Sequence, residues 1–129
     1  MLHVPGLYII PSEGRGRGVF TSESLSEGDL IEICPIVKLP DGDLTHIDQT
    51  TLYDYYFLWE EEGYRGCIAL GYGSIYNHHI KPNSDLLFDY EDSTIKILAN
   101  QAIASGEELF IDYTGSGLTK ESDLWFEPV

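Results

Sequence analysis

The chain has 129 residues and a formal net charge of −15, from 22 acidic against 7 basic side chains. That length suits one domain with a real core and is too short for two. The charge repels phosphate backbones and anionic membranes, which argues against nucleic acid and membrane and in favour of a basic polypeptide partner, although acidity by itself also serves solubility. The sequence lacks a secretory signal and any apolar run long enough to span a bilayer, so the expected location is intracellular, cytoplasmic or nuclear. Cys34 and Cys67 stand alone in apolar surroundings, with no C-x-x-C pair and no His at zinc-ligand spacing. They read as buried free thiols, with no metal expected.

In chain order, Gly6 to Ile10 reads as a first strand, and Gly18-Val19-Phe20 as a second after a glycine-rich turn. Ser26 to Asp29 is a turn, and Asp29 to Cys34 alternates as a half-buried strand does. Leu39 to Thr51, with Pro40, Gly42 and three Asp, reads as a loop. Thr51 to Trp59 reads as a helical turn entering a strand, Glu60 to Gly63 as an exposed acidic turn, and Cys67 to Leu70 as a buried strand. Asp85–Tyr90 and Thr94–Ala99 frame a hairpin, and Ala102 to Tyr113 closes the regular part. Short strands at this spacing predict a single, mostly β domain with little helix.

Three constellations carry possible chemistry. In Gly14-Arg15-Gly16-Arg17-Gly18, alternate glycines permit close backbone approach to a ligand, although such a run alone is more often a turn. In Asn77-His78-His79-Ile80-Lys81-Pro82-Asn83, the side chains offer donors and acceptors to a zwitterionic, heteroaromatic ligand, although a capped polar loop is the default. Gly106-Glu107-Glu108-Leu109-Phe110-Ile111-Asp112-Tyr113 is a turn feeding a strand that ends in an acid and a phenol; alone, Tyr113 is a structural tyrosine more often than a catalytic one.

Together, in this order, the three motifs resemble the SET-domain signature of protein-lysine methyltransferases, closest to the minimal viral and bacterial members. The resemblance covers roughly residues 5 to 115 of a single domain spanning 1 to 129. It implies the SET (β-clip) fold, with several small sheets and a C-terminal pseudoknot. It also implies S-adenosylmethionine as methyl donor and a lysine in a basic protein, such as a histone H3-like tail, as acceptor. By the same resemblance, Gly16, Arg17, Gly18, Asn77, His78, Tyr76 and Trp125 hold the cofactor, and Tyr113 is catalytic. Tyr72, Phe88, Ile111 and Asp112 then face the substrate.

Two departures from the family pattern carry consequences. A cysteine common in the Asn-His segment is replaced by Ile80, and the tail 116–129 has none of the zinc-binding cysteines many relatives carry there. No metal is expected, and Leu124, Trp125 and Phe126 are the apolar residues available to close the cofactor pocket. Relatives also carry Tyr or Phe two residues before the catalytic Tyr, where this chain has Ile111, which predicts multiple methylation. The rival readings are a SET-like module that binds peptide or cofactor without turnover, and a structural β domain with accidental motifs. A homodimer completing the peptide groove is compatible with so small a core.

Overall fold

Alternating apolar residues, interrupted by glycine turns, produce ten short strands among the described residues, which in this computed structural model are 2–3 and 6–112. One sheet has six strands: β1 (Leu2–His3), β4 (Leu30–Pro40), β5 (Tyr56–Leu58), β6 (Tyr64–Ala69), β8 (Ser84–Asp89) and β9 (Thr94–Ala99). Its order is β5-β6-β4-β9-β8, with β1 also paired to β4. The second sheet contains β2 (Leu7–Ser12), β3 (Gly16–Thr21), β7 (Asn77–His78) and β10 (Glu108–Ile111), in the order β2-β3-β10-β7. The mostly β architecture expected from the strand spacing is therefore present. Among the described residues, no helix is long and apolar enough to cross a membrane.

Strand β4 organises the larger sheet. Its first half pairs with β9 and its second half with β6, so it runs further than the six residues that its alternation suggests. A bulge between Leu30 and Glu32 adds a residue, which turns Ile31 and Glu32 inward together. Glu32 is a fully buried carboxylate, and burial of that kind requires partners. Tyr76 donates its hydroxyl to Glu32 Oε1 at 2.7 Å, and the Tyr72 backbone N–H donates to Oε2 at 2.9 Å. Burial, and then the neighbouring Glu32, push the Tyr76 phenol well above its ordinary pKa, so it stays a donor.

The segment 39–51, expected as a loop, contains helix α1 (Asp41–Ile47). Pro40 precedes it in extended backbone, and Asp41 and Asp43 occupy its first turn, where carboxylates favour the positive helix end. Leu44 and Ile47 form its apolar face, packing with Leu39 and Tyr56 in a small second core. The same Pro, Asp and Gly residues that suggest a loop are here helix-start residues. The 3-10 turn Thr51–Asp54 then leads into β5, as expected.

The acidic turn after β5 is exposed as expected at Glu60, Glu62 and Gly63, while Glu61 is half-buried. Fully buried Trp59 donates its indole N–H to Glu61 at 3.0 Å, and Lys38 approaches the same carboxylate at 3.0 Å. Both contacts, the indole first, hold the Glu61 carboxyl below the usual range.

Both cysteines are free and buried. Burial pushes the Cys67 thiol up to about 12 and raises Cys34 as well, where Glu32 adds to the effect. An unfolded thiol titrates near about 8.5. Between those values the unfolded state sheds protons that the folded state keeps, so the stabilisation is intact below about pH 8.5 and declines as pH rises toward 12. Thermal melts from pH 7 to 10 should show a falling midpoint above pH 9, with both thiols refractory to alkylation until the chain unfolds. Rapid alkylation of the folded protein at pH 8 contradicts this placement.

Candidate active site

The three sequence constellations converge at β10. Its start pairs antiparallel with β3, Glu108 opposite Phe20 and Leu109 opposite Val19. Its end pairs in parallel with β7, Phe110 opposite Asn77 and Ile111 opposite His78. The His79 backbone N–H then donates to the Ile111 carbonyl at 3.1 Å.

So short a parallel contact needs reinforcement, and Asn83 supplies it. Its Nδ2 donates to the Glu108 carbonyl and its Oδ1 accepts from the Phe110 N–H, both at 2.9 Å. The side-chain amide thus takes the place of a peptide group in the ladder. Asn100 steadies that loop in turn, donating its backbone N–H to the Asn83 carbonyl at 3.0 Å and its side-chain amide to the Pro82 carbonyl at 3.1 Å.

Beside this junction lies a cleft of about 510 Å³. Arg15, Gly16 and Arg17 form one wall, Asp54 and Tyr55 another, and Ser74, Ile75 and Asn77 the rest. Gly16 has φ +77°, and a Cβ there would meet nothing within 4 Å, so backbone rather than side chain borders the open space. Ser74 Oγ lies 2.9 Å from the Tyr55 carbonyl and 3.2 Å from that of Ala69, which holds two walls together.

Asn77 is held in the cleft wall by two hydrogen bonds. Its Nδ2 donates to the Arg17 carbonyl at 2.9 Å and to Glu108 Oε2 at 2.7 Å. Both partners are acceptors, so the orientation of the amide follows, and Oδ1 is left as the acceptor it offers. Glu108 is held in turn by the Ser12 hydroxyl, which donates to Oε1 at 2.6 Å.

Of the residues singled out from the sequence, Gly16, Arg17 and Asn77 line the cleft together. Gly18 lies behind it, against Glu108 and Asn77. His78 is buried beside β10, its Nδ1 3.8 Å from the half-exposed Asp112 carboxylate. Tyr76 lies wholly inside the core on Glu32, and Tyr72 packs against the same core beside it. Ile111 is likewise fully buried in the core. Phe88 is carried to the far hairpin, stacked on Trp59 with ring centroids 6.0 Å apart, and is not brought to the cleft. Tyr113 and Trp125 lie outside the described residues.

Asp54, Tyr55, Ser74 and Ile75 were not singled out from the sequence. No local motif marks them, since they reach the cleft only through the fold of the 3-10 turn and the 70–76 turn. Among the described residues, no group of three His, Cys, Asp or Glu is placed to hold a metal ion.

Residues 16–114 match the sequence profile of the family described as SET domain. The chain is 34% identical over 122 residues to a Schizosaccharomyces pombe histone-lysine N-methyltransferase specific for H3 lysine-37, covering 94% of this chain and 77% of that protein. It is also similar to the crystal structure of a Plasmodium falciparum candidate histone methyltransferase, with a TM-score of 0.69 and 28% identity. That match covers 91% of this chain and 98% of the other.

Replacing Asn83 with Ala removes both of its side-chain bonds to β10 and leaves part-buried backbone groups unpaired, which should cost about 2 kcal/mol in urea unfolding. Asn83→Asp retains the acceptor for Phe110 but sets a carboxylate against the Glu108 carbonyl, and should be no better. Wild-type stability in both variants contradicts the clamp.

Proposed function

We propose, from the premise that this chain belongs to the SET-domain family of protein-lysine methyltransferases, that it methylates lysine in a histone H3-like tail with S-adenosylmethionine as donor. The observation that carries this reading is the parallel pairing of β7 with β10, which brings Asn77 and the segment entering Tyr113 to one junction beside a cleft.

The cleft suits such a donor. Its volume of about 510 Å³ accommodates a nucleoside-sized molecule with an amino-acid arm. Asn77 Oδ1 is an acceptor for the donor's ammonium group, and Gly16 and Arg17 offer backbone to the same arm. His78 would serve mainly through its backbone, since its side chain is buried. The aromatic ring of Tyr55, exposed on the cleft wall, is available to an adenine face. When bound, S-adenosylmethionine supplies a methyl group activated by its sulfonium.

The chain's task is then to present a neutral lysine amine in line with that methyl. A free lysine titrates near about 10.4, and transfer into an apolar channel lowers this value because burial disfavours the cation. Tyr113 lies two positions beyond β10 in sequence, and its hydroxyl would orient the amine lone pair, a matter of positioning rather than proton abstraction. The proton leaves to water. Trp125, with Leu124 and Phe126, would close the cofactor side.

The substrate assignment rests on charge and on the S. pombe relative's specificity for H3 lysine-37. A net charge of −15 attracts a Lys- and Arg-rich tail at long range and does so less as salt rises. Ile111 brings no phenol to hold water near the amine, which favours more than one methylation per lysine.

Transfer of labelled methyl from S-adenosylmethionine to histone H3, followed by mass spectrometry, tests this reading. Wild-type protein should label H3 and yield di- or trimethyl product under excess donor. Tyr113→Phe should bind donor within about twofold of wild type and lose at least about a hundredfold in kcat. Full turnover by Tyr113→Phe contradicts its role, monomethyl product alone contradicts the multiplicity, and no label on any H3 lysine contradicts the substrate.

A further inference from the structure

The geometry points to Glu108 as a positioning residue that, through Asn77, sets the acceptor presented to the donor's ammonium group, and to Gly18 as the residue that makes room for it. The inference rests on the S-adenosylmethionine reading above and deepens it.

The glycine pair invites one explanation for both positions, close approach of a ligand. The two surroundings differ. A Cβ on Gly16 would meet open space on the cleft side. A Cβ on Gly18 would overlap the Glu108 carboxylate and come within 2.9 Å of Asn77 Nδ2. What Gly18 avoids is therefore a side-chain carboxylate of its own chain. The obstructing atoms are ends of side chains, not backbone, so alanine at this position displaces Glu108 without breaking β3.

Glu108 is placed to instruct Asn77. An asparagine amide free to rotate can present either oxygen or nitrogen to a ligand. Here one amide proton is taken by the Arg17 carbonyl and the other by Glu108 Oε2 at 2.7 Å, so the nitrogen is committed and the oxygen remains. Glu108 cannot turn away easily, because Ser12, itself nearly buried, holds its other oxygen at 2.6 Å. Among the described residues, Glu108 makes no ion pair. Its carboxylate thus lies one side chain from the cleft with no cation of the described residues at ion-pairing distance, and an ammonium group accepted by Asn77 would bring a positive charge toward it.

Isothermal titration with S-adenosylmethionine on the full chain separates this role from mere packing. Glutamine at 108 can still accept from Asn77 and donate to Ser12, so Glu108→Gln keeps the geometry and loses the charge; about fivefold weaker binding is expected. Glu108→Ala frees the Asn77 amide and should weaken binding about thirtyfold. Gly18→Ala alone should resemble Glu108→Ala, yet add little in the Gly18→Ala/Glu108→Ala double variant, because the carboxylate it overlaps is gone and the Asn77 amide, the remaining close neighbour, is already released there. In turnover, the KM for S-adenosylmethionine should rise while kcat at saturation and the KM for peptide hold. The Asn83 clamp uses only the Glu108 backbone, so the strand junction should survive each change.

Wild-type affinity in Glu108→Ala, fully additive losses in the double variant, or a fall in kcat with unchanged cofactor KM overturns the inference. Wild-type protein that binds no S-adenosylmethionine at all contradicts the reading beneath it instead.

Discussion

The structure turns on one short parallel contact. Strands β7 and β10 pair over Asn77 to His78 and Phe110 to Ile111, and a parallel ladder of that length cannot hold itself. The Asn83 amide lengthens it by acting as an extra peptide unit, bonding residues 25 and 27 positions away in sequence. The placement of Asn77 at the cleft depends on that junction. Asn77 reaches the glycine-rich strand because β10 lies between β7 and β3, and the chain leaves Asp112 already beside His78.

Two carboxylates grip the segment that ends at Asn77, from opposite directions. Glu32, turned inward by the β4 bulge, takes the Tyr72 N–H and the Tyr76 hydroxyl. Glu108, on β10, takes the Asn77 side chain. Between these anchors, Ser74 and Ile75 are presented to the cleft. A carboxylate taken out of water costs desolvation that its hydrogen bonds must offset; fully buried Glu32 fixes the backbone at Tyr72, and half-buried Glu108 fixes the side chain of Asn77. The acidic composition thus has internal roles as well as a long-range field.

Most of the strands were legible in the sequence because they follow from local pattern, whereas the two-residue strands β1 and β7 are too short to show one and the second half of β4 was not read. Alternation marks β8 and β9, while the meeting of residues 77–83 with 106–112 was implied only by the resemblance of the ordered motifs to the SET family. Helix α1 was not legible, since Pro40, Asp41 and Gly42 read equally as loop residues until Leu44 and Ile47 find Leu39 and Tyr56 to pack on. The cleft walls at Asp54, Tyr55 and Ser74 depend on tertiary placement that no short motif encodes. Tyr76 and Phe88 show the opposite case. Aromatics near a motif invite a site role, but burial on Glu32 and stacking on Trp59 account for where these two lie. Gly18 matched the family motif, while its neighbours Glu108 and Asn77 became visible only with coordinates.

In the proposed function, the β7–β10 junction builds a donor cleft bounded by Gly16, Arg17 and Asn77. Titrating ¹⁵N-labelled protein with S-adenosylmethionine and following backbone and side-chain amide shifts tests it most directly. The account predicts that the Gly16 and Arg17 amides and the Asn77 side-chain NH₂ move together on a single saturation curve, while Leu87 and Val37 stay still. Shifts confined to another face of the protein, or none at saturating donor, would contradict it.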